Sequence, residues 1–184
     1  MSSILFWIKN ELYKIKLIAA DELDYYTNII IVLDIQKKEY KLYDDNLLYL
    51  KNITEQYFKC IKQFELDPRI NCKDLGLLQN EYYYCIFEDN IINDDTIVQD
   101  DNGEWIGTKY CCFETKEYST WLYKIKDTIQ LKVTPNYYGF LKSIPSLEYN
   151  EFVKTYKDII TIDISVEELQ NLTIIINNLF EKMI

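Results

Sequence analysis

Histidine is absent from the 184 residues, which removes Ser-His and Cys-His catalytic arrangements, imidazole acid–base chemistry and His-ligated metals. Arginine occurs once, at Arg69, among 20 basic residues, so bidentate guanidinium clamps on phosphate are nearly excluded. Four glycines and three prolines leave no basis for a fibrous or linker-rich chain. Alanine is confined to Ala19 and Ala20, while Ile, Lys, Asn and Tyr abound, a bias expected of AT-rich coding. The 17 tyrosines are therefore no evidence by themselves of a stacking surface. Beyond the N-terminus the longest apolar stretch is Ile29 to Leu33, far short of the roughly 20 residues that span a membrane. Ile4-Leu-Phe-Trp-Ile8 is also short, with no basic segment before it, and does not fit a secretory signal. Cys60, Cys72, Cys85, Cys111 and Cys112 form no C-x-x-C pair, so reduced core thiols and a cytoplasmic location are expected. Adjacent Cys111 and Cys112 would point to opposite faces of a strand, and neither a metal nor a cofactor is expected.

What is present favours a globular protein. An apolar share of 48% supplies an ample core, and no repeat or linker divides residues 1–184, so one domain is expected. Thirty acids against 20 bases give a net charge of −10, which argues against nucleic acid and anionic membranes as partners.

Ile29 to Leu33 is continuous and β-branched, as a strand covered on both faces would be, and Glu39 to Tyr43 should pair back through a turn near Gln36-Lys-Lys38. Leu50, Ile53, Tyr57, Ile61 and Phe64 recur at helical spacing, which predicts a helix over 45–64 capped by Asp44 or Asp45. Glu81 to Phe87 and Trp105 to Thr115 read as aromatic strands. Trp121, Tyr123 and Ile125 alternate with Leu122, Lys124 and Lys126, then Ile129, Leu131 and Val133 with Gln130, Lys132 and Thr134, and predict a hairpin. Placing these six on one face requires an odd loop, Lys126-Asp-Thr128, pairing Ile125 with Ile129 and Trp121 with Val133. Thr134-Pro135 should end the pairing. Pro145-Ser146 is expected to open a helix with Phe152, Val153 and Tyr156 inward. Ser165-Val-Glu-Glu168 is a capping box for a final helix whose seam is Leu169, Leu172, Ile176, Leu179 and Met183. The expected fold is α+β: a mostly antiparallel β-sheet with helices packed on it, two of them near the C-terminus.

Charge is distributed unevenly. No basic residue lies between Lys73 and Lys109, an interval that holds Asp74, Glu81, Glu88, Asp89, Asp94, Asp95, Asp100, Asp101 and Glu104. An EF-hand built on Gly103 would place Val98 and Lys109 at its first and twelfth positions, where carboxylates are required, so that match fails. Asn102-Gly103 reads instead as a type I′ hairpin turn. Paired carboxylates could serve glycoside hydrolysis, yet clustering in sequence says nothing of their separation. An acidic docking surface is the remaining reading, with Glu88, Asp89, Asp94, Asp95, Asp100, Asp101, Glu104 and Trp105 as candidate partner-binding residues and no catalytic residue.

Trp121-Leu-Tyr-Lys124, Ile129 to Pro135, Tyr137-Tyr-Gly-Phe140, Tyr149 to Lys157 and Ile164-Ser-Val-Glu-Glu168 together resemble, in layout, small bacterial immunity proteins of polymorphic-toxin and contact-dependent-inhibition systems. The resemblance covers residues 119–184; the tryptophan expected in the last helix of that pattern is absent. It implies a cytoplasmic, non-enzymatic protein that neutralises a cognate toxin domain, a nuclease among the candidates, by covering its active surface. A general inhibitor or adaptor of another basic protein, mimicking nucleic acid, is the alternative, and a carboxylate-based hydrolase the third.

Overall fold

The computed structural model of the chain describes residues 2–58, 61, 64–93, 95–137, 139 and 148–183. The fold is α+β, built on two four-stranded antiparallel meanders where the sequence suggested one sheet. The first joins β1 (Ser2–Lys9), β2 (Tyr13–Ala20), β3 (Asn28–Ile35) and β4 (Lys38–Asn46) in chain order. Ile15 pairs with Leu33, Leu17 with Ile31 and Ala19 with Ile29, and all six are buried, so this row forms one apolar face. The expected turn is present: Gln36 and Lys37 carry φ of 51° and 71°, the left-handed pair of a two-residue type I′ connection. Register shifts at Trp7 in β1 and Leu42 in β4 turn consecutive side chains inward, Trp7 with Ile8 and Leu42 with Tyr43.

Helix α1 (Leu47–Ile53) follows and runs into a wider turn over Thr54–Phe58. Its cap is Asn46, whose side chain accepts from the Tyr49 N–H at 2.8 Å. Asp44 and Asp45, the expected caps, belong to β4. The predicted stripe of Leu50, Ile53, Tyr57, Ile61 and Phe64 packs on the main core.

The second meander joins β5 (Cys111–Glu114), β6 (Tyr118–Ile125), β7 (Thr128–Pro135) and β8 (Ile160–Ile164). Its central hairpin corrects the predicted register. Ile125 pairs with Thr128 and Trp121 with Lys132, through the two-residue turn Lys126-Asp127. The six apolar residues do not share a face, because β6 is covered on both sides. Leu122, Ile129, Leu131 and Val133 enter the main core, whereas Trp121 and Tyr123 enter a second cluster with Leu75, Tyr82, Trp105 and Tyr110. Pairing ends at Pro135, as expected.

That second cluster is roofed by α2 (Leu75–Phe87), where the sequence suggested a strand. Its buried face mixes Leu75, Tyr82 and Cys85 with Gly76, Gln79 and Asn80, so the apolar spacing that marks a helix is broken by polar and small residues. Asn80 holds the helix down by donating to the Pro135 carbonyl at 3.0 Å. Gly76 lies so close to Thr134 and Tyr156 that any Cβ there would overlap them.

Helix α3 (Tyr149–Thr155) starts at Glu148, and the expected Pro145-Ser146 opening lies outside the described residues. Tyr149 is buried and Phe152 and Tyr156 are half-buried, but Val153 faces solvent, contrary to expectation. Helix α4 (Val166–Glu181) has the predicted capping box, with Ser165 and Glu168 satisfying each other's backbone N–H groups. Leu169, Leu172, Ile176 and Leu179 are buried in the main core. Trp7 Nε1 donates to the Glu168 carbonyl at 2.7 Å, and Asn171 donates back to the Trp7 carbonyl at 2.8 Å.

Candidate functional site: an acidic lobe beside a tyrosine-lined cleft

The base-free segment becomes α2, a loop, and a small hairpin closed by a bridge between Gln99 and Trp105. Its turn is not type I′: only Gly103 has a positive φ, 79°, and the Gly103 N–H donates to the Asp100 carbonyl at 3.0 Å. A tight turn followed by one left-handed residue is the three-residue form of hairpin connection. Asp100 builds it, its Oδ1 accepting from the backbone N–H groups of Asn102 at 2.8 Å and Glu104 at 3.0 Å. These bonds lower its carboxyl below the ordinary range, and they make Asp100 a structural residue.

Trp105 is 1% exposed and meets Trp121 edge to face, ring centroids 5.8 Å apart. It is core, and offers nothing to a partner. Glu88, Asp89, Asp95, Asp101 and Glu104 are exposed, and Asp94 lies outside the described residues. The Tyr82 hydroxyl donates to the Gly103 carbonyl at 3.3 Å, which fastens the acidic turn against α2. From Tyr82 the helix carries Glu88 about 9 Å further along its axis.

Other aromatic residues beside these charges are Tyr82, Tyr83 and Tyr84. The structure buries or half-buries them; Tyr84 stacks on Tyr149 at 4.0 Å. Within the acidic segment the large apolar groups on display are Ile86 (47% exposed), Phe87 (63%) and Ile91 (94%), while Leu12 and Tyr26 are comparably exposed elsewhere. A helical reading of 75–87 would have placed Ile86 and Phe87 in the last turn. Isolated exposed leucines and isoleucines are ordinary, but three in six residues rimmed by acids make an apolar knob with a charged border.

The C-terminus of α2 sharpens the point. The Asn90 N–H donates to the Cys85 carbonyl at 2.9 Å, and Asp89 between them has φ of 52°. This is a Schellman closure, in which glycine is the preferred left-handed residue. Glu88 and Asp89 also place two negative charges at the negative end of the helix dipole, and no basic residue occupies the last turn. Neither acid stabilises this helix.

Beside the lobe lies a cleft of about 440 Å³, between β4 and α1 on one side and α2 and β5 on the other. Its wall includes Tyr43, Asp45, Tyr49, Tyr57, Tyr83 and Glu114, and among the described residues no Lys or Arg. Asp44, at the rim, is held by Asn28 at 2.7 Å and by Lys41, and both hold its carboxyl low. Among the described residues Glu114 makes no such ion pair, though Lys41 and Lys116 line a neighbouring pocket with it. Its Oε1 accepts from Gln79 at 2.8 Å and from Ser119 at 3.5 Å, and desolvation in the concave wall raises its carboxyl above the usual range. Tyr83 is pushed up to about 12 by burial, with Glu114 and Glu104 adding negative charge nearby, so the acidic turn and the cleft share one electrostatic field. Burial also drives the Cys111 and Cys112 thiols well above their usual range, leaving them as unreactive thiols.

Among the described residues no group of three or more His, Cys, Asp or Glu side chains is placed to hold a metal ion. Among them, too, no helix is long and apolar enough to cross a membrane. Comparison with protein-family models, with curated proteins and with solved structures finds no match to this chain.

Proposed function

We propose that the chain is a non-enzymatic binding protein that captures a basic protein partner, as the immunity proteins resembled by residues 119–184 capture a toxin domain. The observation that carries this reading is the apolar knob of Ile86, Phe87 and Ile91 set among uncompensated acids. An apolar centre within a charged rim is the usual division of labour in an interface: the centre holds and the rim steers. Glu88 and Asp89 oppose the dipole of their own helix, so their charge serves something other than folding. A cytoplasmic site of action and a nuclease as target are part of the same proposal.

The test uses the reading frame adjacent to the gene. Its C-terminal domain is expressed in a host alone, then together with this chain. Growth arrest by the domain and rescue by the chain are expected. Reversal of Glu88, Asp95, Asp101 and Glu104 to Lys should slow association about tenfold or more at low salt, and Phe87→Ser should speed dissociation. Absence of rescue, or equal binding by the reversed variant, overturns the proposal. Asp100 and Asp89 are left out of the reversal because one builds the turn and the other closes α2.

A further inference from the structure

We propose that the cleft between β4 and β5 is a receptor for a guanidinium group, the arginine side chain of a basic protein, gripped by Glu114 and Asp45 among Tyr43, Tyr49, Tyr57 and Tyr83. This deepens the reading above by naming the group a basic partner inserts, and it is tested without that partner, so the two fail separately.

Size is the first support. At about 440 Å³ the cleft holds a whole side chain with its flanking backbone, well beyond a water or a metal ion. Charge is the second. Asp44 at the rim is answered by Lys41, but among the described residues neither Glu114 nor Asp45 makes an ion pair, Lys41 and Lys116 lying beside Glu114 in the neighbouring pocket. Glu114 is placed deliberately: Gln79, 3% exposed, spends its amide donor on Glu114 Oε1, and among the described residues nothing donates to Oε2. Glu114 is exposed at the wall, so the oxygen that no described protein group engages is open to an entering cation.

The walls choose the cation. Tyrosine rings attract positive charge through their faces, and a planar, weakly hydrated guanidinium loses less on leaving water than an ammonium does. Tyr49 is 52% exposed and lies near-parallel to Tyr43, centroids 6.4 Å apart, which sets an aromatic lip at the mouth. An arginine can lie along such a lip and present two N–H groups to a carboxylate.

The probe is N-acetyl-arginine N-methylamide, titrated into the full chain by calorimetry and by amide NMR, with the lysine and citrulline analogues beside it. The arginine probe should saturate with one-to-one stoichiometry by about 10 mM, and the neutral citrulline isostere should bind about tenfold more weakly. Shifts should concentrate at Tyr83, Thr108 and Glu114, and Glu114→Gln, which keeps an oxygen for Gln79, should weaken binding about tenfold. No saturation, equal binding of citrulline, or shifts confined to 95–104 would overturn the proposal. Should Glu114→Gln fail to fold, Asp45→Asn and the citrulline comparison on the unsubstituted protein decide it.

Discussion

Lys132 is 3% exposed and still carries an ammonium group. It is tolerated because Asp158 approaches at 2.7 Å and the carbonyls of Cys72 and Lys73 accept from the same nitrogen at 2.7 and 3.3 Å. Removing one member of such a pair strands the other, and the charge left behind decides the penalty. Asp158→Asn leaves an ammonium deep beneath the segment 72–73 and should destabilise by about 3–5 kcal/mol. Lys132→Met leaves only a half-exposed carboxylate and two carbonyls, so its loss should be smaller. Urea unfolding of both variants checks the ranking, which the opposite order would refute. Residue chemistry of this kind was only half legible in the sequence. Of the expected core thiols Cys85 and Cys112 are buried, Cys72 and Cys111 are half-buried, and Cys60 lies outside the described residues. Alternation along β7, however, marked Lys132 as a solvent residue, because the pattern cannot say when both faces of a strand are covered.

At the scale of the element, capping chemistry was readable and face assignment was not. Ser165 and Glu168 form the predicted box because that motif is satisfied within four residues and needs nothing from the rest of the fold. The β6–β7 register failed for the opposite reason. A layer from α2 and the 97–110 segment lies over Trp121 and Tyr123, so apolar residues on both faces of β6 looked like one face shared with β7. Helix α2 itself was missed because Gln79 and Asn80 serve it as buried anchors, and aromatic β-branched neighbours suggested a strand. The candidate site suffered accordingly: the acids were found, while the apolar groups beside them were assigned to the wrong residues. One consequence is measurable. Asp89 occupies a left-handed position and opposes the helix dipole, so Asp89→Gly should raise stability by up to about 1 kcal/mol. A lowered unfolding midpoint for the glycine variant would contradict the closure described for α2.

For the whole molecule, charge and acidity pull stability in two directions. The raised Glu114 means that the folded state binds that proton more tightly than the unfolded chain. Its contribution is therefore full at low pH and is lost as pH rises through the raised value. Asp67, clasped by Arg69 at 2.8 and 2.9 Å and lowered to about 2, contributes the reverse. Its stabilisation is present above the ordinary aspartate value and disappears as pH falls toward about 2. Thermal melts across a pH series should thus peak on the acid side of neutrality. Glu114→Gln should flatten the rise from neutral pH and spare the acid limb, whereas Asp67→Asn should soften that limb; self-repulsion from the net charge of −10 cannot produce this split. The α+β class was legible because continuous β-branched runs and one strong helical stripe survive any packing. The division into two meanders was not, since β1 is interrupted at Trp7 and β8 is only five residues long, and each acquires its face from its own sheet.

The bonds between Trp7 and the first turns of α4 join residues 161 and 164 positions apart. On a ribosome the first meander is complete long before residues 166–181 are made, so the part of its inner face that α4 covers waits while the rest is translated. A nascent chain stalled before α4 would lack Leu169, Leu172, Ile176 and Leu179 and leave an apolar gap in the main core, the kind of surface that holdase chaperones grasp.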